Sequence, residues 1–276
     1  MKIAVLSGKG GTGKTTVSAS LALSIEGSQY VDCDVEEPNG SIFLKPDIKK
    51  TITVNVPVPH VDASKCNGCG NCAKACQFNA IAVVKGKVLV FPEICHHCGA
   101  CLIACPQGAI KEMDRTTGVI EIDERNTFLQ GRLNIGEPVS IPIIRELKKR
   151  LRNDTTVILD CSPGASCTVV QSVDSCDYCI LVTEPTPFGL HDLKIAVQLI
   201  KKMGIPFGVV LNKASADNTS VQEYCAENHI EVLMEIPYSK EIAQAYSNGT
   251  LPVQSNSQWI QKFSELYKKL ERGAAI

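Results

Sequence analysis

Ser7 to Thr16, SGKGGTGKTT, follows the apolar run Ile3-Ala4-Val5-Leu6 and leads into a stretch with helical spacing. Gly8, Gly13, Lys14 and Thr15 fill the pattern G-x-x-x-x-G-K-[ST]. In that pattern backbone N–H groups cradle phosphates, the lysine reaches the β- and γ-phosphates, and the hydroxyl sits on Mg²⁺. The cofactor-binding segment is therefore Gly8, Lys9, Gly10, Gly11, Thr12, Gly13, Lys14, Thr15 and Thr16. Gly8, Gly10 and Gly13 also spell the dinucleotide pattern G-x-G-x-x-G, with Asp32 where a ribose carboxylate would stand. Lys14-Thr15 argues against it, because a dinucleotide pyrophosphate needs neither a lysine nor a metal-holding hydroxyl at the helix start.

A strand, a phosphate loop and a helix (Lys14 to Ile25), followed by a second strand ending at Val31–Asp34, form a strand-helix-strand unit. The sheet should be mostly parallel, with helices on both faces. The same alternation returns after residue 111. It gives a helix near Pro142–Leu151, strands at Val157–Asp160, Tyr178–Thr183, Phe207–Leu211 and Ile230–Ile236, intervening helices, and a terminal helix at Gln258–Glu271. Thr156–Asp160 ends a strand on a carboxylate, as a phosphate-loop site needs for the metal's water shell. Ser162-Pro163-Gly164 follows, able to bring a backbone N–H near a γ-phosphate.

Residues 60–110 have another texture. Cys66, Cys69, Cys72, Cys76, Ala80 and Ile81 recur 29 positions later as Cys95, Cys98, Cys101, Cys105, Ala109 and Ile110, so the segment is a duplicated module. The expected organisation is one α/β domain, residues 1–59 and 111–276, interrupted by a small one at 60–110. Fourteen cysteines in a chain that runs straight into a strand, with no apolar leader, point to a reducing, cytoplasmic setting and to metal or redox chemistry. No stretch reaches the roughly 18 apolar residues of a membrane span. A net charge of −1 gives no support for a nucleic-acid partner, since the basic run Arg145–Arg152 is interleaved with Leu147 and Leu151 as a solvated helix face is.

Lys9, Asp32-x-Asp34, Asp160-x-x-Pro-Gly164 and Asn212-Lys213 together resemble the MinD, ParA and nitrogenase iron-protein class of ATPases. The resemblance implies an ATP/ADP- and Mg²⁺-dependent homodimer, with slow hydrolysis unless a partner is present. Lys9 of one subunit would reach phosphates bound to the other, Asp34 would position the attacking water, Asp32 would support the metal-side switch, and Asn212 would read the adenine. Lys9, Lys14, Asp34 and Asp160 are the implied catalytic set, with Thr15 and, through water, Asp160 on Mg²⁺. Charge neutralisation and an oriented nucleophile are what phosphoryl transfer requires, so a lysine supplied in trans makes hydrolysis conditional on dimerisation.

Each cysteine run, C-x₂-C-x₂-C-x₃-C, resembles that of bacterial two-cluster ferredoxins, in which the fourth cysteine ligates the other cluster. This implies two [4Fe-4S] clusters, one on Cys66, Cys69, Cys72 and Cys105, the other on Cys95, Cys98, Cys101 and Cys76. Structural zinc instead pairs C-x₂-C motifs across a longer gap. Gln77 departs from the proline that follows the fourth cysteine, which Pro106 keeps. With the insert, the chain resembles MinD-superfamily ATPases carrying an inserted two-cluster ferredoxin, and Thr183–Asp192 looks like that subgroup's own motif.

Of the remaining cysteines, Cys167 and the pair Cys176/Cys179 read as packing or helix-start residues in preference to ligands, and His96 and His97 as exposed spacer residues. The stripe Trp259, Ile260, Phe263, Leu266, Tyr267 and Leu270 reads as a helix docked on the sheet, so membrane attachment is not expected. The implied function is ATP-linked electron transfer with a redox or client protein partner. The alternatives are an iron–sulfur or metallocofactor assembly factor and a positioning ATPase of the MinD and ParA kind.

Overall fold

The computed structural model describes residues 1–215 and 217–273. Its strands are β1 (Lys2–Leu6), β2 (Gln29–Asp32), β3 (Ile48–Val61), β4 (Ile81–Val84), β5 (Lys87–Val90), β6 (Ile110–Asp123), β7 (Phe128–Leu133), β8 (Val157–Asp160), β9 (Tyr178–Thr183), β10 (Phe207–Ala214) and β11 (Val232–Pro237). Nine of them make one sheet in the order β11-β10-β9-β1-β8-β2-β7-β6-β3, and β4 pairs only with β5. From β11 to β7 every pairing is parallel; β7–β6 and β6–β3 are antiparallel. The mostly parallel α/β fold read from the sequence is what the structure has.

The central strands β1, β8 and β9 are buried on both faces, which is why they read as continuous apolar runs. One face carries the helices Ile141–Lys148, Cys167–Val173, Pro187–Met203 and Ser220–Glu227, whose Ile143, Leu147, Val173, Val197 and Cys225 join one core. The other carries Lys14–Leu23 and Ser257–Gly273, whose Val17, Leu21, Trp259, Phe263, Leu266 and Leu270 build a second. The terminal helix thus spends most of its apolar stripe on the sheet, as expected, while Ile260 of that stripe stays exposed. No helix among the described residues is long and apolar enough to cross a membrane.

The antiparallel edge was not anticipated. The last residue of β7, Leu133, stands opposite Gly118 of β6, and β3 continues with β6 past that point from Asn55/Thr116 to Val61/Ile110. A two-stranded ribbon of seven β3 residues therefore rises beyond the sheet by about 20 Å, at the end where the parallel strands finish and the Ser7–Thr16 loop lies. Pro57 and Pro59 break the usual strand pattern, yet β3 is the sheet's edge, where a missing N–H disrupts no ladder. Between the ribbon strands the chain forms short helical turns at Asn71–Ala75 and Ala100–Ile103 and the β4–β5 hairpin.

Candidate functional site

The loop after β1 wraps a cavity of about 430 Å³, lined by Gly10, Gly11, Gly13, Lys14, Thr15, Thr16, Asp34, Pro163, Asn212, Lys213 and a wall from Pro237 to Tyr246. Gly13 caps the helix Lys14–Leu23 with φ 92°, and a Cβ there would lie 2.1 Å from Asn212 Nδ2, so only glycine fits. Asn212 Nδ2 donates to the Thr12 carbonyl at 2.8 Å, fastening the end of β10 to the loop. Thr12 Oγ1 is buried without a partner, a polar atom in the cradle with capacity to spare.

Asp160, fully buried at the end of β8, accepts from Lys14 Nζ at 2.7 Å and from Tyr30 Oη at 2.9 Å. Lys14 Nζ also stands 3.5 Å from Asp34 Oδ2. Burial alone lowers the basicity of Lys14, but Asp160 and Asp34 reverse this, so the ammonium stays charged. Asp32 accepts backbone N–H bonds from Asp34 (3.1 Å), Asn39 (3.1 Å) and Gly40 (2.9 Å). Burial, then repulsion from Asp160, nevertheless holds its carboxyl above the usual carboxylate range. Asp34 is raised by burial and partly restored by Lys14. Three carboxylates around one ammonium make a site short of positive charge, the condition a divalent cation relieves. Thr15 lines this cavity and is the hydroxyl available to such an ion.

Three placements differ from simple readiness. Gly164 N–H is already given to the Ser7 carbonyl at 2.8 Å, so it is not free for a phosphate in this arrangement. Lys9 Nζ is bonded to Glu184, which also accepts from Lys213 Nζ at 3.0 Å. Lys213 in turn donates to the Gly11 carbonyl at 3.1 Å from a left-handed backbone, φ 54°. Gly8 stays bare because a Cβ would meet the Asp192 carbonyl at 2.4 Å, so the helix Pro187–Met203 presses on the loop. Tyr30, Glu184, Lys213 and Tyr246 belong to the site but were given no role from sequence; Glu184 lay in a stretch already marked, Thr183–Asp192, and Lys213 in the pair Asn212-Lys213.

The cysteines of the insert line two hollows. Cys76, Cys95, Cys98 and Cys101 surround one, and Cys66, Cys69, Cys72 and Cys105 the other, each a small hollow of about 20 Å³. Each set takes three cysteines from one run and the fourth from the other. Backbone N–H groups of Ala80, His97 and Ala109 point at Cys76, Cys95 and Cys105 Sγ at 3.3, 3.4 and 3.3 Å. Burial raises the Cys72, Cys95 and Cys101 thiols. Among the described residues no three His, Cys, Asp or Glu side chains converge as ligands of a single metal ion. A cubane, whose four thiolates each bind a different iron, asks for wider spacing, and two all-thiol sets with N–H donors to sulfur suit it.

His96 stacks on Phe78 over the first hollow, centroids 3.8 Å apart. His97, read as an exposed spacer, is instead half-buried, with Nε2 shut away from solvent. Cys176 and Cys179 pack into the core beside Cys33 and Cys161, and burial pushes the Cys176 thiol up to about 12. Cys167 is exposed at a helix start. The cations of the run 145–152 are taken up locally: Arg145 by Gln171, Lys148 by the Gln171 carbonyl, Lys149 and Arg150 by Glu146, and Arg152 by Asp154.

Residues 3–253 match the model of the CobQ/CobB/MinD/ParA nucleotide binding domain, and the chain belongs to that family. It is 30% identical to a protein of Methanocaldococcus jannaschii, covering 98% of this chain and 96% of that one. It is also 26% identical to the iron-sulfur cluster carrier protein of Pyrococcus horikoshii, over 78% of this chain and 61% of that one. Among solved structures it superimposes on MinD of Pyrococcus horikoshii complexed with Mg-ADP with TM-score 0.59 at 20% identity, covering 98% and 95% of the two chains. The cell division ATPase MinD of Pyrococcus furiosus gives TM-score 0.58 at 20% identity, with 98% of each covered.

Proposed function

We propose that this chain is a Mg²⁺-dependent ATPase, dimeric when ATP is bound, that carries a two-[4Fe-4S] ferredoxin-type domain at 60–110 and links its nucleotide state to electron transfer with a redox partner. The observation that carries the reading is the placement of two crossed four-cysteine sets on a ribbon rising at the nucleotide end of the sheet. In this reading Lys14 and the N–H groups of Gly8 to Thr16 hold the phosphates, Thr15 and Asp160 hold the metal and its water, and Asn212 faces the base. Asp34 orients water, Asp32 braces the segment that follows it, and Lys9 leaves Glu184 for the partner subunit's phosphates. Gly164 N–H reaches a γ-phosphate once Ser7 gives it up. The clusters supply one-electron chemistry; the chain supplies eight thiolates and the N–H groups that polarise them.

A second reading, cluster assembly or carriage, is favoured by the relatives named iron-sulfur cluster carriers. Burial of Cys176 and Cys179 removes the pair on which a labile bridging cluster would most simply sit. A third, spatial positioning, has the MinD likeness of the fold behind it.

The test is anaerobic purification. The proposal expects about eight iron and eight sulfide per chain, and ATP hydrolysis whose specific rate rises with protein concentration and disappears in Lys9→Ala. Absence of iron after anaerobic reconstitution, or undiminished hydrolysis in Lys9→Ala, contradicts it. Transfer of iron to an apo-ferredoxin at a rate set by ATP would favour carriage instead.

A further inference from the structure

The two cysteine hollows differ in how they meet the body. The hollow of Cys76, Cys95, Cys98 and Cys101 is walled by Pro57 and Pro59 of β3 and Glu112 of β6; the other is walled by Val61 and Ile110, at the ribbon's tip. Counting along the ribbon from Gly118, the first is proximal and the second distal. Val56 and Val58 share one buried cluster with Cys95, and Cys76 packs against it.

Arg115 stands opposite Val56 in the ribbon. Its two terminal nitrogens grip both oxygens of Glu137, Nη2 to Oε2 at 2.7 Å, and the side chains are only 20% and 9% exposed. Glu137 lies in the turn after β7. That turn is fastened to the nucleotide site, because Leu133 N–H donates to the Val35 carbonyl at 2.8 Å, one residue beyond Asp34. Asn134 N–H donates to the Thr117 carbonyl at 2.9 Å, so the same turn also grips the ribbon's base. Two buried polar atoms at this junction have no partner: Arg115 Nε, a donor, and His97 Nε2, an acceptor when the ring carries its proton on Nδ1. A buried donor left idle on the guanidinium leaves the ion pair room for a second arrangement.

We propose that the Arg115–Glu137 ion pair is the strap by which the nucleotide site and the proximal hollow act on one another, with the distal hollow outside the linkage. The inference rests on the reading that nucleotide and cluster states are coupled. A shift of the Asp34–Val35 segment on γ-phosphate binding moves Leu133, hence Glu137 and the guanidinium it holds. A cation brought nearer the Cys95 sulfur favours added negative charge there, and less so at the hollow farther along the ribbon.

The experiment uses the full chain with both clusters reconstituted, and compares the affinity of a non-hydrolysable ATP analogue for oxidised and dithionite-reduced protein. The wild type should show a ratio of about fivefold or more. Glu137→Gln, and the double variant Arg115→Gln/Glu137→Gln that leaves no lone charge, should bring the ratio to within about twofold of unity while iron content and oxidised-state affinity hold. Arg115→Lys, a cation without the fork, should fall between. Hydrogen exchange of residues 134–140 and 95–99 should respond to the analogue in the wild type and not in Glu137→Gln. A full ratio in both Glu137 variants overturns the strap and leaves the coupling standing. A ratio of one in the wild type removes the coupling reading and the strap with it.

Discussion

The nucleotide-binding body and the cysteine segment are built on opposite principles. The body buries two large apolar layers, one on each face of a nine-stranded sheet, and its charged groups are set into that frame by short bonds. The segment between Val61 and Ile110 has two small clusters instead, each made largely of its cysteines and a few aliphatic neighbours, while Ile103, Phe91, Ile94, Leu89 and Val84 remain in contact with water. A core of that size does not hold some 50 residues unaided, as small domains without metals or disulfides generally show. The difference teaches that the body is shaped by burial, whereas the segment has little burial of its own to shape it and, on the proposed function, relies on the clusters its thiols would hold.

The sharpest way to break that comparison is to remove the iron that the proposed function assigns to those thiols. Chelation under anaerobic conditions should raise hydrogen exchange across 62–109 by orders of magnitude while ATP-analogue binding and the body's unfolding midpoint stay close to their starting values. Loss of both together would show that the two regions form one cooperative unit. Next in size is Lys14→Ala, which leaves Asp160, Asp34 and Asp32 without their shared cation. We expect a loss of about 3–5 kcal/mol in denaturant unfolding at neutral pH, and nucleotide binding weakened beyond measurement.

A smaller effect should follow pH. The carboxyl of Asp32 sits above its ordinary range because burial and Asp160 favour the protonated form. Its contribution is therefore fully present below the ordinary carboxylate range and lost as pH rises through the elevated value. The urea midpoint of nucleotide-free protein should fall by roughly 1–3 kcal/mol equivalent between about pH 5 and pH 8, and less so with Mg-ADP bound. An Asp32→Asn variant should flatten that slope; an unchanged slope would assign it elsewhere. Smallest is Glu184→Gln. Lys9 is about a third exposed, so freeing it should change stability by no more than about 1 kcal/mol. Release of that lysine should still lower the protein concentration needed for half-maximal ATP hydrolysis by about two- to fivefold, and a higher one would mean that Glu184 assists dimerisation.

Much of the body was legible in the chain because its signals are local. The glycine–lysine–threonine spacing, and Val157–Asp160 as an apolar run ending in a carboxylate, each declare a role within a few residues. The same holds for the two cysteine runs, whose repeat needs no structure to be seen. The ribbon was not legible: Ile52, Val54, Val56 and Val58 alternate as a strand should, but Pro57 and Pro59 contradict it, and much of its partner, Lys111–Thr116, is polar. Glu184 meets Lys9 across 175 residues of sequence, and Arg115 meets Glu137 through a turn whose shape no periodicity encodes. Such pairings are set by tertiary placement alone.

The most direct test of the account is an anaerobic potentiometric titration of the cluster signals, first with Mg-ADP and then with a non-hydrolysable ATP analogue. The account predicts two reduction steps, of which one moves by about 40 mV or more between the nucleotides, the counterpart of a fivefold change in affinity for a one-electron couple. Two steps at identical potentials in both nucleotides, with clusters fully retained, would contradict it.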